Sequence, residues 1–141
     1  MTEEPVTTEL DDEANWRLLA ATSLGRLAIT AGGEIDIFPI TYVVDDKTLL
    51  FRTAPGTKLV EVEVGHPVAL EIDGYSDAEA WSVVVKGSAA RLEHQDQIDA
   101  ADTLPLTPWI PTLKYTWVRI TPTVVSGRRF RRGTEPERYT L

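Results

Sequence analysis

Apolar and polar residues alternate with a period of two along most of this chain, and with a helical period only along a few short stretches. The first of these is Asp11–Thr22, where Trp16, Leu19 and Ala20 fall on one face of a predicted helix. Asp11 or Asp12 serves as its cap, acids in the first turn suit its dipole, and Gly25 breaks the pattern. Strand patterning follows over residues 26–30, 35–44, 48–53, 67–74, 81–93 and 113–125. Turn residues punctuate it at AGGE, at Asp45-Asp46 and at Ala54–Gly56. Pro39 stands in the middle of the second strand; it cannot donate to a ladder, so it marks an edge, a bulge or a ligand-facing gap. Gly87 bends the long strand 81–93. Residues 57–64 read as a helix, with a strand as the competing reading, and 95–104 as another helix. LPLTPWIPTL is an irregular loop around Trp109. Six or seven mostly antiparallel strands with two or three helices define a β-rich α+β protein built on a barrel.

Composition narrows this to one domain. The chain has 141 residues, 43% of them apolar, and no cysteine, so disulfides and thiolate zinc sites are excluded. No charged-then-apolar leader opens it and no apolar run reaches membrane-spanning length, so a soluble, cytoplasmic protein without a membrane partner is expected. A net charge of −8 argues against nucleic acid as a partner. The charge is uneven. Residues 1–10 read as a flexible acidic tail, residues 11–130 as the folded domain, and residues 131–141 as a basic tail continuing the cluster Arg128, Arg129, Arg131 and Arg132. Either both ends are solvated, or the basic end folds over an anionic ligand or a partner subunit.

The chemistry is concentrated in Phe51–Lys58, FRTAPGTK. It is not a P-loop, because Phe51 and Thr57 stand where that motif needs glycine and lysine. It still has the parts of an anion site: Arg52 and Thr53 at a strand end, a turn through Gly56, a helix start, the Thr57 hydroxyl and the Lys58 charge. The alternative is an ordinary corner with Thr57 as a cap and both cations solvated. No metal site is expected, since His66 and His94 lack partners at ligand spacing. Asp45-Asp46 is turn chemistry, Asp73 and Glu79 are not placed as an acid–base pair, and Ser82 and Ser88 lie in no nucleophile elbow.

The segments LLAATSLGRLAI, FPITYVVDDKTLLFRTAPGTKL, HPVALEIDG, WSVVVKGSAARLE and VVSGRRF, in that order, resemble the pyridoxamine 5′-phosphate oxidase-like, FMN-binding split-barrel family. The resemblance runs from Leu18 to Phe130 and is closest to small actinobacterial-type members without an assigned substrate. It implies a homodimer of six-stranded antiparallel split β-barrels with short peripheral helices and FMN in clefts between subunits. It makes Arg52, Thr53, Thr57 and Lys58 phosphate ligands, lays Pro39, Ile40, Thr41 and Tyr42 along the isoalloxazine through backbone groups, and brings Trp81 and Ser82 to the cofactor from a neighbouring strand or subunit. Trp81, Trp109 and Trp117 either stack on flavin, line the interface or fill the core. Pyridoxamine phosphate oxidases carry an arginine and a lysine along the strand matching 38–43 and a C-terminal arginine and histidine. Here 38–43 has no cation and no histidine follows His94, so that substrate is not expected.

The expected function is therefore an FMN-binding oxidoreductase with an unassigned small-molecule substrate. Its catalytic residues are not named by the sequence, because the flavin carries the chemistry. Alternatives are a deazaflavin-dependent reductase, whose acidic tail would meet the Arg128–Arg132 cluster, and a non-catalytic flavin-binding module. A haem-handling role is weaker, for want of an axial ligand.

Overall fold

The computed structural model describes residues 5–54, 65–107 and 116–137. Along the chain come β1 (Thr7–Glu9), α1 (Asp12–Ala21), β2 (Leu24–Ala31), β3 (Glu34–Thr41), β4 (Val43–Asp45), β5 (Thr48–Thr53), β6 (His66–Tyr75), β7 (Glu79–Arg91), α2 (Gln95–Asp102) and β8 (Thr116–Arg131). The expected class holds: a β-rich chain with two described helices and a curled antiparallel sheet, consistent with a split barrel. The strand count differs from the expected six, since eight strands join one sheet in the order β3-β2-β6-β7-β8-β5-β4, with β1 beside β8.

The differences have local causes. Residues 35–44 do not form one strand. They break at Tyr42, whose N–H donates to the Ser23 carbonyl at 3.0 Å and whose ring is buried. Thr7–Glu9, within the stretch read as a tail, pairs with Phe130–Arg128 of β8. The arginine cluster is not free either, because β8 runs on to Arg131 and pairs with β7 to its end. The helix expected over 57–64 and the tryptophan at 109 lie outside the described residues.

Turn chemistry is as the sequence reads. Gly32 and Gly33 take positive φ between β2 and β3. The β4–β5 turn falls one residue later than expected, at Asp46 and Lys47, both left-handed. Asp11 caps α1, its carboxylate accepting from the Ala14 N–H at 2.8 Å. The bend in β7 is a register shift between Lys86 and Gly87.

Strand alternation gives the sheet two faces. Leu27, Ile29, Leu49, Phe51, Leu70, Ile72, Val83, Val85, Val118 and Ile120 fill the inner one, closed by Leu19 of α1. The Tyr42 hydroxyl donates to the Leu19 carbonyl at 2.7 Å, which ties α1 to the β3–β4 corner. Burial pushes that hydroxyl's pKa up. On the outer face, α2 covers only the β5–β8 region, where Leu50, Trp117 and Ala101 form a second small core. The Trp117 indole donates to Asp102 of α2 at 2.7 Å.

Candidate functional site

Arg52 is the next-to-last residue of β5, on its outer face and across from Trp117 of β8. The guanidinium carbon stands 5.2 Å from the Trp117 ring centroid. Its Nε is buried and has no hydrogen-bond partner among the described residues. A buried, unsatisfied N–H costs about 1–3 kcal/mol, so this end of β5 favours an arriving acceptor. Thr53 points inward and is buried. Thr57 and Lys58 lie outside the described residues.

Pro39–Tyr42 meet this end of β5. Val43, which follows them, stands across from Leu50, and β3 touches β5. β3 is the terminal strand of the sheet order, which is where a proline without an N–H is tolerated. Pro39 is exposed opposite Arg26 of β2, Thr41 is half-buried opposite Leu24, and Ile40 turns into the core. Tyr42 is more restricted than expected. Its N–H and hydroxyl are both committed inside the fold, so only its carbonyl is left for a ligand.

Trp81 and Ser82 do not act as one group. Trp81 shares the inner parity of Val83 and packs on the main core, while Ser82 faces outward between Asp73 and Arg128. Gly74, across from Trp81, must be glycine, since a Cβ there would lie 2.6 Å from the indole ring. On the outer face Ser82 is three strands from Thr41, about 14 Å at about 4.8 Å per strand. The structure thus sets Arg52 toward the Pro39 and Thr41 edge on the outer face, turns Thr53, Ile40 and Trp81 inward, and leaves Ser82 across the sheet.

Between these two groups lies a network that sequence reasoning missed. Arg26 pairs with Glu71 at 2.8 Å and with Asp73 at 3.3 Å. Desolvation raises the Glu71 pKa, the adjacent Asp73 raises it further, and Arg26 opposes both. The three residues occupy polar positions of alternating strands, so their outward direction was legible. Their meeting depended on the β2–β6 register, which sets Arg26 against Glu71. Among the described residues no group of three or more His, Asp or Glu side chains is placed to hold a metal ion, and no helix is long and apolar enough to cross a membrane.

A curled antiparallel sheet with a proline-bearing edge strand is consistent with the split-barrel class. The profile of the pyridoxamine 5′-phosphate oxidase family matches residues 11–129, and the chain belongs to that family. An uncharacterized protein of Mycobacterium tuberculosis is 43% identical over 96 residues, covering 68% of this chain and 87% of the relative. A Corynebacterium glutamicum structure, provisionally assigned as a pyridoxamine 5′-phosphate oxidase, superposes with a TM-score of 0.86 at 41% identity, over 95% of this chain and 100% of that one. A structure described as the FAD binding protein of Mycobacterium smegmatis gives a TM-score of 0.78 at 38% identity, over 89% and 99%.

Proposed function

We propose that the protein is a flavin-binding oxidoreductase that holds FMN at the corner between β3 and β5. The observation that carries this is Arg52, whose Nε is buried without an acceptor among the described residues, near the Pro39–Thr41 edge of β3. Arg52, the backbone at Thr53 and, from the neighbouring segment, Thr57 and Lys58 hold the phosphate; Pro39, Ile40 and Thr41 orient the ring through backbone groups. Bound flavin supplies the redox chemistry, and the protein supplies position, charge and exclusion of water. Pyridoxamine phosphate is not the proposed substrate, because residues 38–43 offer no cation to a second phosphate. The proposed setting is the cytoplasm.

The working unit proposed is a homodimer. On the outer face, residues of β3 and β8 are apolar and uncovered: Ile35 is 74% exposed, Ile37 66% and Val124 53%. They flank a shallow groove of about 420 Å³ lined also by Ala28, Pro67 and Ala69. A second copy placed there buries this face and brings its own strand ends to the rim where Thr41 and Ser82 stand. Ile37→Glu is expected to convert a dimer to a monomer in light scattering. A wild-type monomer at micromolar concentration would refute the arrangement.

Two other cofactors remain in view. FAD is favoured by the 38%-identical FAD binding protein, and a deazaflavin by the arginines at the end of β8. Absorbance of the purified protein and titration with FMN, FAD and the deazaflavin decide among them. A deazaflavin bound at least about a hundredfold more tightly than FMN would overturn the flavin assignment. Bound flavin without turnover above the free cofactor, with NADPH and simple acceptors, would make the protein a non-catalytic flavin-binding module.

A further inference from the structure

The Arg26–Glu71–Asp73 network stands in the middle of the uncovered outer face, and the phosphate corner does not use it. The exposed apolar residues of that face lie at its two margins, Ile35 and Ile37 on β3 and Val124 on β8. β2, β6 and β7 run between them, so the margins are four strand steps apart, about 19 Å at about 4.8 Å per step. A body that touches both margins therefore crosses the three strands between. Ile37, Ala28, Ala69, Lys86 and Val124 share one row across the sheet. Arg26 and Glu71 belong to the next row, two residues and about 7 Å along the strands. A partner packed over the first row covers them too.

The charges of this network are uneven. One guanidinium serves two carboxylates, at 2.8 Å from Glu71 and 3.3 Å from Asp73, which leaves one negative charge in excess when both acids are ionised. The neighbouring strands do not neutralise it. Pro39 and Thr41 of β3 carry no charge, and Val84 and Ser82 of β7 stand across from Glu71 and Asp73. Lys86 of β7 faces Ala69 rather than either acid, and on β8 Ser126 is neutral while Arg128 has Glu9 of β1 as its register partner. In the single copy the Glu71 side chain keeps 36% of its exposure, so water still carries part of the excess charge. A partner removes that water, and a covered charge without a counter-charge is costly. Protonation of one acid leaves a neutral pair with Arg26. Burial and the adjacent Asp73 already hold the Glu71 carboxyl above its ordinary value of 4.5, against Arg26.

We propose that the pairing of two copies through this face takes up a proton at the Glu71–Asp73 pair, so that the dimer tightens as its surroundings acidify. The inference rests on the homodimer reading above and adds its regulation. The sign follows from linkage. Covering the face disfavours the ionised form further, so the dimer binds more protons than two separate copies. Association is then strongest at acid pH and weakens as pH rises through the dimer's value.

The test is sedimentation velocity of the full chain over a concentration series between about pH 5 and about pH 8, with near-ultraviolet circular dichroism to show that each sample is folded. Salt at about 0.15 M screens the general repulsion between two chains of net charge −8. The wild-type association constant is expected to be at least about tenfold larger at the acid end. Glu71→Gln mimics the protonated acid, so it should associate at neutral pH as tightly as wild type does in acid, and lose that slope. Glu13→Gln removes the same charge from α1, where the side chain is exposed and paired with Arg17, and should keep the slope. Arg26→Gln leaves both acids without their counter-charge and should weaken the neutral dimer, with a larger recovery in acid. A dimer whose affinity ignores pH, or whose slope is the same in Glu71→Gln and Glu13→Gln, overturns this inference alone. A monomer at every pH overturns the homodimer reading and this inference together.

Discussion

Replacing Arg52 separates the phosphate assignment from every structural role of that arginine. The guanidinium lies over Trp117, and a partly desolvated cation–π contact of this kind contributes roughly 0.5–2 kcal/mol to stability. Arg52→Ala therefore costs some folding free energy whatever the ligand. The cost to binding is distinct. The Arg52 Nε has no hydrogen bond among the described residues to give up, so a phosphate contact there is gained without breaking another. A charge-assisted hydrogen bond contributes about 1.5–3 kcal/mol, so Arg52→Ala should weaken FMN roughly 10- to 150-fold. Arg52→Lys keeps the charge but loses the fork and should recover only part of that loss. Riboflavin, which has no phosphate, is the internal control. The assay is quenching of tryptophan fluorescence, with a urea melt of each variant to show that the titrated protein is folded. Riboflavin and FMN losing affinity equally would sink the phosphate assignment, since a shared loss reports a distorted corner.

Tyr42→Phe strands the buried Leu19 carbonyl at the last turn of α1, and should cost about 1–3 kcal/mol in urea denaturation. Gly127→Ala drives a methyl into the side-chain oxygen of the buried Asn15 and against Leu10; it should cost about 2–3 kcal/mol, and less when combined with Asn15→Ala. Glu71→Gln tests the carboxylate pair. The folded-state pKa of Glu71 is raised, so its contribution is fully present below the ordinary value of 4.5 and is lost as pH rises through the folded value. The stability of Glu71→Gln relative to wild type should therefore increase from acidic pH toward neutral, and a flat difference would count against the coupling.

Residue patterning carried the local elements well and the global pairing poorly. The α1 boundaries, the Asp11 cap and the β5, β6 and β7 segments follow from periodicity and turn residues, which act within a few positions. The break at Tyr42 was not legible, because it depends on a hydrogen bond to Ser23, nineteen positions earlier in sequence and set by the β2–β3 register. β1 was hidden for a similar reason: three exposed residues have no core signal of their own and become a strand only beside β8. At the site, Arg52 was legible as a cation at a strand end. The Arg26–Glu71–Asp73 network and the Tyr75–Arg132 pair were not, since each joins residues brought together only by pairing across strands. Adjacent positions in a strand also face opposite ways, which is why Trp81 and Ser82, neighbours in sequence, part company in the fold.

Net charge points the wrong way for this molecule if it is read as a statement about ligands. A chain at −8 ought to repel an anionic cofactor, and at long range it does. Screening at physiological salt limits that repulsion to about 8 Å, so the acidic side chains of α1 and α2 have little influence on distant strand ends. What remains is local. Among the described residues the Arg52 Nε is buried without an acceptor at the β5 end, while Arg26 is held by two carboxylates. One buried guanidinium nitrogen without a partner suits a single negative charge at a defined place rather than a polyanion. That is why the same acidic composition that argues against nucleic acid does not argue against a nucleotide.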